Sequence, residues 1–393
     1  MKTEKRLIYL DNNSTTLVDQ RVLDTMMPFF TTNFANANST HQFGVGAYNA
    51  VKEARKQVAE LIGAETNEII FTSGATEAIN LAIKGVAENY SDKGKHIITV
   101  VTEHSAVLDT CKYLETKGYE ITYLNVKSDG LIDLNELKDA LREDTILVSV
   151  MFVNNETGVI QPIKEISNLS HSVDAFFMTD ATQAVGKIGV NVDDLEIDLL
   201  CFSGHKIYAP KGVGALYVRQ RQNRIKIPAL FHGGGHERGL RSGTLNVPGI
   251  VALGKACELS LKEMKQNSDH IKTLRDYIEL QLLAIPDTFV NGNTSKRLYN
   301  VTNICFVGAD SEAIIMGLSN YENNLPLIAV SNGSACTSAS INPSHVLIAM
   351  GLDENKAFNS IRISLGKYNT KDELDIVVKN INDVVANLKA MVF

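Results

Sequence analysis

The stretch Asp198-Leu199-Leu200-Cys201-Phe202-Ser203-Gly204-His205-Lys206 decides how this chain is read. Four apolar residues lead into a small polar turn and a lysine, the pattern of a strand that ends at the edge of a sheet. The apolar approach argues against a plain surface cation, because a desolvated lysine has a lowered pKa and becomes a nucleophilic amine. Asp180, 26 residues earlier, ends another apolar run, Ala175 to Thr179. A carboxylate after Phe176-Phe177-Met178 costs desolvation energy unless a cation meets it. The two residues together suit a lysine that holds pyridoxal phosphate as a Schiff base and an aspartate that keeps the pyridine nitrogen protonated. Asp180 also suits the simpler role of capping a following helix.

Outward from this stretch, short β-rich runs alternate with segments of helical period. The runs are Glu68 to Thr72, His96 to Val101, Tyr119 to Leu124, Thr145 to Val150, Ala175 to Thr179 and Asp198 to Phe202. Between them Ala75 to Glu88, Ala106 to Lys117 and Leu134 to Leu141 read as helices. That rhythm predicts an α/β fold, a mainly parallel sheet covered by helices. It stops near Gly254, where Val251 to about Ala284 reads as one long helix. Strand-like Val301 to Val307, helix-like Ser311 to Leu318 and a helix from Lys371 to about Leu388 then predict a smaller C-terminal α/β unit. The expected division is a large domain over residues 15–260 and a small domain formed by 1–14 and 261–393.

Parallel sheets bind ligands beyond the carboxyl ends of their strands. Five polar clusters fall there: Ser73-Gly74-Ala75-Thr76-Glu77, Thr102-Glu103-His104, Asn154-Asn155-Glu156, Asp180-Ala181-Thr182-Gln183 and Ser203-Gly204-His205-Lys206. Ser73 to Thr76 would open a helix whose free N–H groups cradle a phosphate, though an ordinary strand-to-helix turn has the same composition. His104 would lie flat on a pyridine ring or shuttle a proton, or else cap the next helix. Arg362, in the alternating run Ser360-Ile361-Arg362-Ile363-Ser364, suits a bidentate carboxylate clamp or a surface ion pair. Cys336 lies in Ser331-Asn332-Gly333-Ser334-Ala335-Cys336-Thr337-Ser338-Ala339-Ser340, where no apolar periodicity exists, which favours a reactive thiol over a small buried hydrophobe.

Composition narrows the field. The chain has 393 residues, 44% of them hydrophobic, and a net charge of −7 without any dense basic run, which argues against direct nucleic-acid binding. The polar start Met1 to Arg6 carries no signal-peptide pattern, and no apolar run approaches the roughly 20 residues of a membrane span. Five scattered cysteines without metal-type spacing read as free thiols in a reducing, cytoplasmic compartment. Three glycines in His232-Gly233-Gly234-Gly235-His236 prevent a helix that would aim both imidazoles at one metal, so no metal site is expected. The same segment lacks the Gly-x-Ser-x-Gly elbow of an esterase, and there is no Walker-type phosphate loop.

In sequence order, Ser73 to Glu77, Thr102 to His104, Asp180 to Gln183, Ser203 to Lys206, Gly233-Gly234-Gly235-His236-Glu237-Arg238, Arg241-Ser242-Gly243-Thr244 and Gly333 to Ser340 resemble the motifs of the NifS/IscS family of cysteine desulfurases. The likeness runs from Leu10-Asp11-Asn12 to about Gly366. It implies a fold type I pyridoxal-phosphate enzyme, working as a homodimer, that converts L-cysteine to L-alanine. Sulfur would be held as a persulfide on Cys336 and passed to an acceptor such as an iron–sulfur scaffold, with Cys336 a transient cluster ligand during transfer. Ala75, Thr76, Ser203 and His205 would hold the phosphate, with Thr244 reaching across from a second subunit. Gln183 would meet the ring hydroxyl, His104 would stack on the ring and Asp180 would pair with its nitrogen. Asn155 and Arg362 would orient the substrate carboxylate, and Lys206 would hold the cofactor and move the α-proton.

The sequence departs from the family pattern at Asn36-Ala37 and Tyr208-Ala209-Pro210-Lys211-Gly212, and Asn320 to Pro326 looks longer than the corresponding connection. Its end at Phe393 resembles NifS more than the longer tail by which IscS-type members dock a scaffold. Two other readings stay open at this point. One is a selenocysteine lyase, or another pyridoxal-phosphate lyase or aminotransferase, that does not use Cys336. The other is a sulfur-delivery subunit that keeps the fold without catalysis.

Overall fold

The computed structural model describes residues 7–221, 224–319, 326–333 and 342–391. After β1 (Leu7–Tyr9) come β2 (Ile69–Thr72), β3 (His96–Val100), β4 (Glu120–Leu124), β5 (Thr145–Ser149), β6 (Phe176–Asp180), β7 (Leu199–Ser203) and β8 (Gly214–Val218). The later strands are β9 (Thr288–Val290), β10 (Val301–Phe306), β11 (Leu327–Ala329) and β12 (Ser360–Ser364). β2 to β8 form a seven-stranded sheet in the order β2-β8-β7-β6-β5-β3-β4. All six strands expected from the sequence are present and run the same way. The exception to parallel order is β8, which the periodicity did not reveal and which pairs antiparallel with both β2 and β7. Two antiparallel steps restore the direction of β2, so its carboxyl end joins those of the other five strands.

Both faces of this sheet are covered. On one side the helix Ala75–Asn89 buries Ala78, Ile79, Ala82, Ile83 and Val86, the spacing of an amphipathic stripe, against Ile97, Leu147, Met178 and Leu199. On the other, the helices Gln42–Ile62 and Val247–Leu282 pack over Val148, Phe177 and Leu200. They meet through small residues: a Cβ on Gly254 would lie 2.5 Å from Ala54 Cα.

The helix Val247–Leu282 is 36 residues long and crosses from one core to another. Ala252 to Leu259 belong to the core of the large sheet, whereas Ile271, Leu274, Ile278 and Leu282 pack with Ile304, Phe306, Ile361, Ile363 and Val385. This second core surrounds an antiparallel sheet of order β12-β10-β9 and includes Ile8 and Leu10, so the amino-terminal strand lies with the C-terminal elements. β1 pairs in parallel with β11.

The close helix crossing supplies a stability test. Gly254→Val forces a branched side chain against the Ala54 backbone and is expected to cost about 1–3 kcal/mol. Thermal unfolding of the purified variant should show a lower midpoint than the parent, and an unchanged midpoint would contradict the packing described.

Candidate active site

The carboxyl ends of the parallel strands open into a cleft of about 580 Å³ lined by residues from all five polar clusters. Local sequence explains the placement. β2 ends at Thr72, and Gly74 precedes the helix Ala75–Asn89 without any side-chain cap, so the N–H groups of the first turn face the cleft. Gly214 lets β8 run directly beneath, since a Cβ there would stand 2.7 Å from Gly74 Cα. The turn is braced by Glu77, which accepts from Ser73 N–H at 2.9 Å and pairs with Arg241 at 2.8 Å. The Gly233 to Arg238 motif is tied to β2 as well: Glu237 is buried, pairs with Arg55 and accepts from Phe71 N–H at 2.9 Å.

Lys206 closes the short turn Gly204–Lys206 after β7, and its Nζ donates to the carbonyl oxygens of Asn13 and Ser14, both at 2.6 Å. Asn13 O also accepts Gln183 Nε2 at 3.0 Å, and Asn13 Nδ2 donates to Asn155 O at 3.1 Å. His205 Nδ1 lies 3.1 Å from Thr15 Oγ1. Burial, then Lys206, Lys211 and Lys187, hold the His205 imidazole down at about 4. Asp180 is 7% exposed and accepts Thr182 N–H at 2.9 Å. His104 reconciles the two roles weighed for it, since its Nδ1 accepts Ala106 N–H at 3.1 Å as the cap of the helix Ser105–Glu115 while the residue lines the cleft.

Arg362 is no surface cation. It is 4% exposed and reaches from β12 to Asp11 Oδ1 and Ser14 Oγ at 2.7 Å and to Asn155 O at 3.1 Å, with no partner for Nε among the described residues. Thr244 is exposed and does not line this chain's cleft. Cys336 lies outside the described residues, although Gly333, three positions before it, borders the cleft.

Several residues escaped the sequence reading. Asn13 and Ser14 are the acceptors for Lys206, yet their run Asp11 to Thr16 follows an apolar strand just as the five clusters do. Glu103 is enclosed, takes Met151 N–H on Oε1 and has no partner for Oε2 among the described residues. Burial, and next the charge of Asp180, push its carboxyl well above the usual carboxylate range. Lys187 stands behind Gln183.

These groups fit a phosphorylated, nitrogen-bearing aromatic ring. An uncapped helix start with Thr76, Ser203 and His205 offers donors to a phosphate, Asp180 offers a carboxylate to a ring cation, and the Thr182 hydroxyl is buried without a partner among the described residues.

Comparisons with known proteins agree with this chemistry. The model of the class-V aminotransferase family matches residues 8–377. "Cysteine desulfurase IscS" of Pasteurella multocida (strain Pm70) is 51% identical over 387 residues, 98% of this chain and 94% of that protein. A solved structure described as a NifS-like protein superposes with a TM-score of 0.90 at 39% identity, covering 97% of this chain and 100% of that one. Another, described as SspA in complex with cysteine, gives a TM-score of 0.79 at 39% identity over 92% of this chain and 100% of that one.

His205 provides a pH test on the cofactor-free protein. Its folded pKa, about 4, lies below the ordinary 6.5, so between these values the unfolded chain binds more protons and stability rises with pH. The contribution is complete above about 6.5 and is lost as pH falls toward 4. Melting curves across this window should decline less steeply for His205→Asn than for the parent. Parallel curves would show that His205 titrates normally.

Proposed function

The chain belongs to the class-V aminotransferase family and is a pyridoxal-phosphate-dependent cysteine desulfurase, a sulfurtransferase, and from that premise we propose that Lys206 carries the cofactor and Cys336 takes the sulfur of L-cysteine as a persulfide. One observation carries the assignment of the thiol. Of the five cysteines in the sequence, Cys111, Cys201, Cys257 and Cys305 are all buried. Burial pushes each of these thiols up, Cys111 to about 12 and Cys201 well above the usual range, so none presents a thiolate. Cys336 remains. Three residues span at most about 11 Å, so its tether to cleft-lining Gly333 lets the thiol reach the reaction site.

When bound, pyridoxal phosphate supplies an electron sink for the bond changes at the substrate α- and β-carbons. The residues of this chain do the rest. Ala75, Thr76, Ser203 and His205 would hold the phosphate, Asp180 would pair with the ring nitrogen, Gln183 would meet the ring hydroxyl and His104 would stack on the ring. Arg362, held rigid by Asp11 and Ser14, orients the substrate carboxylate together with Asn155. His104 Nδ1 is spent on its own helix, which leaves Nε2 as the nitrogen free to exchange a proton. Lys206 would be the base that takes the α-proton of the bound substrate. The Cys336 thiolate then attacks the substrate sulfur: an S–S bond forms, the C–S bond breaks, and L-alanine leaves after the carbon regains protons. Such an attack is fastest when the thiol pKa lies near ambient pH.

The working unit in this reading is a homodimer. Phe34 and Phe43 are 74% and 73% exposed, and Leu17, Phe30, Tyr48 and Phe231 add to the apolar surface, which a second copy would cover. Thr244, exposed and outside its own cleft, is then available to the partner's phosphate site. The division into a large and a small domain falls within the helix Val247–Leu282, where its packing passes from one core to the other. No helix among the described residues is long and apolar enough to cross a membrane. We place the enzyme in the cytoplasm, delivering sulfur to an iron–sulfur scaffold.

Borohydride reduction of the loaded protein followed by peptide mapping should label Lys206, and label on another lysine would reject that assignment. Cys336→Ala should load cofactor and respond spectrally to L-cysteine, yet form no protein persulfide by mass spectrometry and almost no alanine. Asp180→Ala should lose about two to three orders of magnitude in turnover, the usual cost of removing one charge-stabilising group. Parent-like alanine formation by Cys336→Ala would replace the desulfurase mechanism with that of an ordinary lyase.

A further inference from the structure

Lys187 lies four residues beyond Gln183, on the side of that glutamine away from the cleft. Its Nζ donates to Gln183 Oε1 at 2.6 Å, while Gln183 Nε2 donates to Asn13 O, the carbonyl that also accepts Lys206. A side-chain amide has one oxygen that accepts and one nitrogen with two N–H groups that donate. Lys187 on the oxygen and the Asn13 carbonyl on one N–H fix which end is which, and the second N–H stays available to the cleft that Gln183 lines.

Lys187 itself is 8% exposed and borders a smaller cavity of about 30 Å³, room for a single water. Among the described residues no carboxylate pairs with it. Asp19 is held by Arg21 and Lys367, Glu263 by Arg21, and Asp11 by Arg362. Tyr208 and Tyr299, which line the same cavity, have phenols pushed up by burial and so are neutral. Lys206, Arg362 and Lys367 are cations. Burial first, then Lys206 and Arg362, hold the Lys187 ammonium down at about 7. A buried cation with one neutral hydrogen-bond partner costs folding free energy. An anionic oxygen resting against Gln183 would offset that cost and keep Lys187 protonated.

Resting on the reading of the cleft as the cofactor site, we propose that Lys187 is a positioning residue that fixes the orientation of the Gln183 amide, with an N–H available to the cleft, and, through its charge, favours the anionic form of the ring hydroxyl placed there. The same charge weakens the hold on a proton shared between that oxygen and the Lys206 nitrogen. Lys187 touches neither cofactor nor substrate; it acts through Gln183.

The test is a pH titration of the visible absorbance of the cofactor-loaded protein, with no substrate added. Lys187→Met and Lys187→Gln should each raise the titration midpoint by about one unit, and Lys187→Arg, which keeps the charge, should leave it near the parent value. Cofactor-free Lys187→Met should melt at or above the parent temperature, because an unpaired buried cation has gone, whereas a merely structural lysine would give a lower one. An unchanged midpoint in folded, loaded Lys187→Met or Lys187→Gln overturns the proposal. Failure of both neutral variants to fold overturns it too, since Lys187 would then serve the fold. A parent protein that takes up no cofactor would instead sink the underlying reading of the cleft, a result distinct from a loaded variant without a shift.

Discussion

The carbonyl oxygen of Asn13 is the point on which the site depends. It accepts Lys206 Nζ from the end of β7 and Gln183 Nε2 from the segment after β6, while the Asn13 side chain bridges Asn155 beyond β5 and Asn300 before β10. Its own N–H donates to Ser364 Oγ at the end of β12. One residue from the amino-terminal segment thus joins three strand ends of the large sheet to the C-terminal core. The neighbouring residues repeat the pattern, with Thr16 N–H donating to His205 O and Tyr208 N–H to Thr16 Oγ1. A peptide carbonyl cannot titrate and cannot change rotamer, so it is a fixed acceptor for the Lys206 amine.

Charge in the cleft is arranged by desolvation more than by pairing. Lys206, Lys211 and Arg362 line it and Lys187 stands behind, while Asp11 is committed to Arg362 and Glu77 to Arg241. Glu103 is enclosed, and burial, followed by the charge of Asp180, pushes its carboxyl toward the neutral form. The surplus of positive charge suits a ligand with an anionic phosphate and carboxylate, and it adds to burial in holding the His205 pKa down. A neutral imidazole accepts from or donates to a phosphate without adding a further cation to the cluster.

What the sequence disclosed follows from which forces are local. The six parallel strands are unbroken β-rich runs, and their ends carry the polar clusters, so β2 to β7 and the meeting of Lys206, Asp180, Gln183 and His104 at one cleft were legible. The helix Gln42–Ile62 went unread although Gly44, Ala47, Val51, Ala54, Val58 and Leu61 form a regular buried stripe, half of it built of small residues. β8 was hidden behind Ala209 to Val213, and an alternating or apolar run has the same period whichever way it points. Asn13 met the same criterion as the five clusters, but the chain returns it to the site only by threading its first strand into the C-terminal core. The burial of Glu103, Lys187 and Glu156 is a tertiary property with no local signature.

Glu156 shows how the Cys336 segment is joined to the cleft. Its carboxyl accepts Ser344 Oγ at 2.5 Å, and a Cβ on Gly333 would stand 2.5 Å from Oε2, so glycine is required there on space alone and also by its φ of +80°. Gly333 and Ser344, on either side of Cys336, therefore converge on one enclosed side chain next to Asn155. Burial, ahead of the lowering effects of Ser344, His345 and Arg362, raises the Glu156 carboxyl above its ordinary value. A carboxyl of that kind anchors by hydrogen bonding and shape and adds little charge to a cleft that must receive an anionic substrate. Under the role proposed for Cys336, the described residues on both flanks of its segment, held on Glu156, would give a tethered thiol the entropic advantage that intramolecular attack has over capture of a free thiol.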